Sequence, residues 1–246
     1  MVHYNRPMSV TSTPARLSNQ TLFIDADDTL WENNIYFERA IASFIADLDH
    51  LQHTPAQIRE QLNRCERATI ATHGYGLQSF RRSLVDCFEQ LSDIPITPER
   101  HARITSLIDA IASTKIELLA GVAQTLQILS QRHRLILVTK GNHLEQTDKL
   151  RRSGLQVFFN AVEVPPEKTD TTYRTIAQQH RCDPTTTWMI GNSPRSDINP
   201  ALAAGLHAVF IPHACTWVLE HEAVDSPSSK DQLLELTSFS DLLQYF

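Results

Sequence analysis

Four short apolar runs punctuate the chain: Thr21–Ile24, Leu135–Val138, Val157–Val162 and Thr187–Ile190, each followed by a stretch with helical periodicity. Runs of this length, apolar throughout rather than alternating, are the pattern of strands covered on both faces, as in parallel sheets. A fifth run, Ala208–Ile211, precedes a C-terminal segment with no clear period. The alternation predicts an α/β fold: a Rossmann-like, doubly wound parallel sheet with right-handed crossovers.

Between the first and second strands the pattern changes. Residues 34–117 read as helix throughout, too long for a simple crossover. Phe37, Ile41, Phe44, Ile45 and Leu48 recur at helical spacing, as do Leu77, Phe80, Leu84, Val85 and Phe88. Helix starts are expected at Thr54-Pro55 and Thr97-Pro98, where a capping hydroxyl precedes proline at the first helical position. The expected organisation is a tail over 1–20, an α/β core over 21–33 and 118–246, and an all-helical inserted cap over 34–117.

The chain has 246 residues, 41% hydrophobic and 20% charged, which fits a globular protein with a substantial core. Its net charge of −6, and the 9 basic against 11 acidic residues of the insertion, argue against a binder of nucleic acid or anionic membrane. No apolar run approaches the roughly 18–20 residues of a bilayer span, and the first twenty residues lack the apolar stretch of a signal peptide and read as a loose tail. Cys65, Cys87, Cys182 and Cys215 are scattered without a C-x-x-C pair, so neither a disulfide framework nor a thiolate metal site is expected. A cytoplasmic protein is the simplest account; oligomeric state carries no signal.

Chemistry is concentrated where the strands end. Strand 1 runs into Asp25-Ala26-Asp27-Asp28-Thr29-Leu30, and three carboxylates in four residues repel one another unless a cation compensates. An acidic helix cap by Asp28 or Thr29 is the plainer alternative. Strand 2 ends at Thr139, followed by Lys140, Gly141 and Asn142 at a helix start, where a hydroxyl and open N–H groups form a phosphate cradle or merely a cap. After strand 3, Lys168 precedes a helix from about Asp170; a cation there opposes the helix dipole and is either solvated or held by an anion. Strand 4 enters Gly191-Asn192-Ser193-Pro194-Arg195-Ser196-Asp197, with the oxygens of Asn192 and Asp197 on a tight loop. In a parallel sheet these ends share the edge at which open α/β sheets bind ligands.

In that order, Asp25-x-Asp27-x-Thr29-Leu30, Thr139, Lys168 and Gly191-Asn192-x-x-x-x-Asp197 resemble the four motifs of the haloacid dehalogenase-like hydrolase superfamily, over about residues 21–211. Its phosphoglycolate-phosphatase-like group, with a helical cap, is the nearest look. The resemblance implies a phosphatase acting on a small phosphorylated metabolite. Asp25 would be the nucleophile and Asp27 the acid and base. Mg²⁺ would sit among Asp25, Asp27, Asn192 and Asp197, and Thr139 and Lys168 would bind the phosphoryl oxygens, with Lys140, Gly141 and Asn142 beside them. Asn192 stands where many members carry Asp, which removes a charge from the metal site.

In the insertion, His73-Gly74-Tyr75-Gly76 holds its only glycine pair. It is either a helix–helix turn or a loop that carries His73 or Tyr75 to the leaving group. Arg81 and Arg82 are candidates for a second anionic group, or simply solvated. A phosphomutase, a 2-haloacid dehalogenase and a non-catalytic binding protein remain alternatives on the same scaffold; retention of Asp27 speaks against the dehalogenase. A phosphonatase would need a cap lysine, and the insertion's only one is Lys115.

Overall fold

The computed structural model describes residues 16–48, 52–227 and 229–246. Six parallel strands form one sheet: β1 (Thr21–Ile24), β2 (Arg134–Val138), β3 (Ala161–Glu163), β4 (Thr187–Gly191), β5 (His207–Phe210) and β6 (Leu233–Glu235), in the order β3-β2-β1-β4-β5-β6. The doubly wound sheet follows from side-chain alternation. Leu22 and Ile24 join Leu135, Leu137, Trp188 and Ile190 on one face, and Phe23 joins Ile136, Val138 and Met189 on the other. Helices α5 (Val122–Leu129) and α6 (His143–Ser153) and the C-terminal Phe239, Leu242 and Phe246 cover the first face. Helices α7 (Asp170–Gln179) and α8 (Asn199–Ala203) cover the second.

One expectation about the sheet is corrected, and one segment left unplaced finds its position. The run Val157–Val162 is not a strand along its length. Leu155–Phe158 is a 3₁₀ turn with Val157 83% exposed, and only Ala161–Glu163 pairs, with β2. The apolar character of 155–159 serves packing instead, since Leu155, Phe158 and Phe159 lie against the α5 and α6 side of the core. The segment after β5 supplies a sixth strand, β6, beside β5. Of the expected tail, residues 1–15 lie outside the described residues. The rest is held: Leu17 N–H bonds the carbonyl of Tyr245 at 2.7 Å and Gln20 is buried.

Residues 34–117 form α1 (Asn34–Asp47), α2 (Pro55–His73), α3 (Leu77–Leu91) and α4 (Pro98–Ser113). Thr54 and Thr97 cap α2 and α4 as their spacing requires, accepting from Gln57 and Arg100 N–H, and Thr54 completes a capping box with Gln57. Ile41, Phe44, Leu48, Ile58, Leu62, Leu84, Phe88 and Ile104 make an apolar cluster separate from the two at the sheet. Cys65 and Cys87 belong to it, and all four cysteines are free. The chain leaves and re-enters the sheet side by side: Trp31 bridges Leu118, Glu32 N–H bonds the Glu117 carbonyl at 2.9 Å, and Leu119 N–H bonds the Leu30 carbonyl at 3.0 Å. Among the described residues no helix is long and apolar enough to cross a membrane.

One charge in this cluster is out of place. Glu66 on α2 is 6% exposed, and its Oε2 has no hydrogen-bond partner among the described residues. Burial raises its carboxyl to about 7; Arg59 and Arg67 oppose the shift and Glu38 adds to it. The unfolded chain releases this proton near pH 4.5, whereas the folded chain retains it until about pH 7. Stability is therefore lost as pH rises through that window. Thermal unfolding of Glu66→Gln should match wild type at pH 4.5 and exceed it at pH 8, by an amount on the order of 2–3 kcal/mol.

Candidate active site

The tight turn after β1 brings all three of its aspartates to the wall of one cavity. Asp28 adopts the left-handed conformation (φ 59°), which Asp tolerates better than most residues, and Leu30 N–H bonds the Ala26 carbonyl at 2.8 Å. The Asp28 carboxylate is engaged by the backbone, accepting from the N–H groups of Asn33 (2.8 Å) and Asn34 (3.1 Å) at the start of α1. The capping alternative thus holds for Asp28, whose carboxyl burial raises to about 6 against those two hydrogen bonds.

Asp25 is the focus. Its neighbour is set by strand order: β1 pairs with β4, so the turn after β4 lies beside the turn after β1. There Pro194–Ile198 forms a turn of π-helix, a widened geometry often found at functional sites, and delivers Asp197. Gly191 makes room, because a Cβ there would fall 2.2 Å from Asp197 Oδ2. Lys168, from the loop before α7, places its Nζ 2.5 Å from Asp25 Oδ1 and 2.7 Å from Asp197 Oδ1, with its side chain 1% exposed. Its burial beside the α7 N-terminus is explained by an anionic partner rather than by solvation. Burial works against the ammonium, yet Asp197 and Asp25 outweigh it and raise its pKa. Asp25 is nevertheless pushed up to about 7, by burial first and by Asp197, with Lys168 pulling down.

Asp27 is held differently. Trp31 Nε1 (2.7 Å) and Lys149 Nζ (2.5 Å) donate to its Oδ1, and Gln146 Nε2 (3.0 Å) donates to Oδ2. Burial alone would raise its pKa, but Lys149 lowers it below the usual carboxylate range. Gln146 also donates to Thr139 Oγ1 (2.8 Å), so Thr139 is tied into the cavity wall and does not cap α6. That role falls to Asn142, which accepts from Leu144 and Glu145 N–H and so uses two of the donors expected for a phosphate. Lys140 and Gly141 line the cavity, but Lys140 Nζ is engaged by Glu220 (2.5 Å), Ser196 (2.9 Å) and Tyr75 (3.1 Å).

The oxygens suit a hard divalent cation. Thr29 Oγ1 lies 3.1 Å from Asp25 Oδ2 and 3.3 Å from Asn192 Oδ1, and one hydroxyl proton cannot satisfy both. Asn192 Nδ2 donates to Thr216 Oγ1 at 2.9 Å, which turns its oxygen toward Asp25. Two oxygens with a shared shortfall, beside Asp197, match the donor set that Mg²⁺ takes.

The helical insertion roofs the site. The cavity encloses about 190 Å³ between the strand ends and α1, α2 and α3. Tyr75 reaches down from the α2–α3 turn: its hydroxyl donates to Glu167 Oε1 at 2.6 Å and its ring lies 4.5 Å from Lys140 Nζ. Glu145 accepts from Leu77 N–H at 3.1 Å. His73 remains on the outer surface, bonded to Thr72 and Arg82, because it still belongs to α2 whereas Tyr75 lies beyond Gly74. Pattern reading missed Lys149, Gln146, Trp31 and Glu220. The available signal was α6 itself, whose buried face presents Gln146 where an apolar residue is expected.

A family profile described as haloacid dehalogenase-like hydrolase matches residues 20–205. No curated protein matches the chain. Among solved structures, a haloacid dehalogenase-like family hydrolase from Xanthomonas campestris is 28% identical, with a TM-score of 0.79 over 93% of this chain and 91% of that one. A 2-haloacid dehalogenase from Pseudomonas syringae pv. tomato DC3000 is 19% identical (TM-score 0.60; 92% and 97% covered). A predicted phosphoglycolate phosphatase from Haemophilus somnus 129PT is 18% identical (TM-score 0.59; 92% and 97% covered).

Two outcomes follow from the geometry. Lys168→Met should destabilise the fold by about 3–5 kcal/mol at pH 8 and by less at pH 5, where Asp25 can take up a proton; denaturant unfolding at both values checks this. Gly191→Ala should displace Asp197, and thermal unfolding together with a crystal structure should show the carboxylate moved off Lys168.

Proposed function

This chain belongs to the haloacid dehalogenase-like hydrolase family, and from that premise we propose that it is a Mg²⁺-dependent phosphatase acting on a small phosphomonoester through a phosphorylated Asp25. The observation that carries the reading is the Asp25–Lys168–Asp197 arrangement with Asp27 facing the same cavity. A carboxylate can approach an anionic phosphate only where fixed cations offset the repulsion, and phosphoryl transfer needs mainly such positioning and charge stabilisation. Asp25, the carbonyl of Asp27, Asn192 and Asp197 would hold the metal, which supplies further positive charge at the phosphoryl oxygens.

The residues divide the labour. Asp25 attacks phosphorus: its oxygen–phosphorus bond forms as the bond to the leaving alkoxide breaks. Lys168 and Thr139 hold the phosphoryl oxygens. Asp27, kept ionised by Lys149 in the free protein, gains proton affinity when a phosphate dianion arrives beside it, and passes that proton to the departing oxygen. It then takes a proton from the water that attacks phosphorus, which frees phosphate and restores Asp25. A helical cap that excludes water favours a small substrate over a polymer.

Assay of a panel of phosphomonoesters, with and without Mg²⁺, tests this. Wild type should release phosphate only with the metal. Asp25→Asn should fall to background, and Asp27→Asn should lose on the order of 10²–10⁴-fold in kcat, the usual worth of a positioned acid–base. No release from any ester, an activated aryl phosphate included, would sink the phosphatase. Chloride release from 2-chloropropionate without metal would favour a dehalogenase, and exchange of phosphoryl groups between sugar hydroxyls a mutase.

A further inference from the structure

The floor and the roof of the cavity differ in chemistry. Every lysine that lines it (Lys140, Lys149 and Lys168) reaches in from the α/β core, and among the described residues no Lys or Arg lines it from α1–α4. The roof is lined by Phe37, Ile41, Ile70 and Phe80, by the neutral polar side chains of Asn34, Ser79 and Ser83, and by one charged group, Glu66. Ile70 and Glu66 are one turn apart on α2 and share a face. Eight residues separate Glu66 from Gly74 at the base of the roof, so Glu66 stands about 12 Å up the helix, at the cavity's far end.

Glu66 is not consumed by an ion pair. The nearest cation, Arg59, spends both terminal nitrogens on Glu38 (2.6 and 2.8 Å) and its Nε on Asn63 (3.0 Å). Glu66 Oε2 is left without a donor among the described residues, in a side chain more than nine-tenths buried, while the roof's neutral donors are spent elsewhere: Asn34 Nδ2 on the Cys215 carbonyl and Ser83 Oγ on the Ser79 carbonyl. A buried acceptor with no donor costs stability, and such a cost at a cavity wall marks a group held for a ligand.

We propose that Glu66 is the specificity-determining residue for the leaving group, receiving an amine or hydroxyl donor at the end of the substrate remote from phosphorus. The substrate class, which rests on the phosphatase reading, is a phosphomonoester with an apolar middle and a donor at its far end. Above pH 7, where Glu66 is ionised, a distal carboxylate or second phosphate is excluded, because the roof offers it no cation and meets it with a second negative charge.

The test, run at pH 8 so that Glu66 is ionised, compares wild type, Glu66→Gln and Glu66→Leu on phosphate esters of six-carbon alcohols ending in methyl, hydroxyl, ammonium or carboxylate. Wild type should favour the hydroxyl and ammonium esters over the methyl ester by about tenfold or more in kcat/KM, and reject the carboxylate ester. Glu66→Leu should reverse the order toward methyl. Glu66→Gln should keep the hydroxyl preference and lose that for ammonium, which separates the two donors. Unchanged ranking in a folded Glu66→Leu, or a wild type that prefers the carboxylate ester, overturns the proposal. Calorimetry on metal-free protein with 6-aminohexanol, hexanol and 6-hydroxyhexanoate gives an independent reading. 6-Aminohexanol should bind more tightly than hexanol, whose far end is methyl, in wild type only, and 6-hydroxyhexanoate should bind more weakly than either; equal binding of the first two overturns the proposal. If wild type hydrolyses no ester at all, the phosphatase reading falls, and the calorimetry alone decides the role of Glu66.

Discussion

One buried ammonium governs the site. Asp25 and Asp197 end neighbouring strands, and parallel pairing of β1 with β4 forces their carboxylates together away from water. Two such groups cannot both be ionised there without a cation, and Lys168 supplies it at 2.5 and 2.7 Å. The arrangement constrains everything near it. Gly191 must lack a side chain so that Asp197 can close in, and the π-turn must widen to carry it. Asp28 must take a left-handed conformation so that the chain reverses while Asp25 and Asp27 keep facing the cavity.

The same logic separates the two reacting carboxylates. Asp25 shares its cation with Asp197 and is raised by burial, whereas Asp27 shares Lys149 with no other carboxylate, accepts from Trp31 and Gln146 as well, and is lowered. In the free protein this order is the reverse of what an attacking group and a proton donor require; a cation beside Asp25 would favour its ionised form, and a phosphate dianion beside Asp27 would raise its proton affinity. Around them the cavity is graded, from cations at the strand ends to apolar and neutral polar side chains with one carboxyl, Glu66, under the helices. The contacts of Tyr75 with Lys140 and Glu167, and of Leu77 with Glu145, keep that roof over the floor.

Much of this was legible in the chain because strand ends and motif order are local signals. The turn after β1, Thr139, Lys168, Asn192 and Asp197 could be placed on one edge from parallel topology alone. Other features could not. Val157–Val162 looked like a strand, yet hydrophobicity there serves lateral packing, which a linear pattern cannot distinguish from sheet pairing. The family motifs contain no Lys149 or Gln146, which come from the cavity-facing side of α6, and Lys140 found a partner in Glu220, eighty residues away. Glu66 was invisible for a similar reason: on a helix with a mixed polar face, only the packed structure shows which glutamate has been buried.

The central claim is that the carboxyl held by Lys168 becomes covalently bonded to phosphorus. Acid-quenched turnover of an aryl phosphate, followed by peptide mass spectrometry, reads this directly. The account predicts a phosphoryl group on the peptide bearing Asp25, removed by hydroxylamine and absent from Asp25→Asn. Sustained phosphate release with that peptide unmodified, or undiminished release by Asp25→Asn, would contradict it.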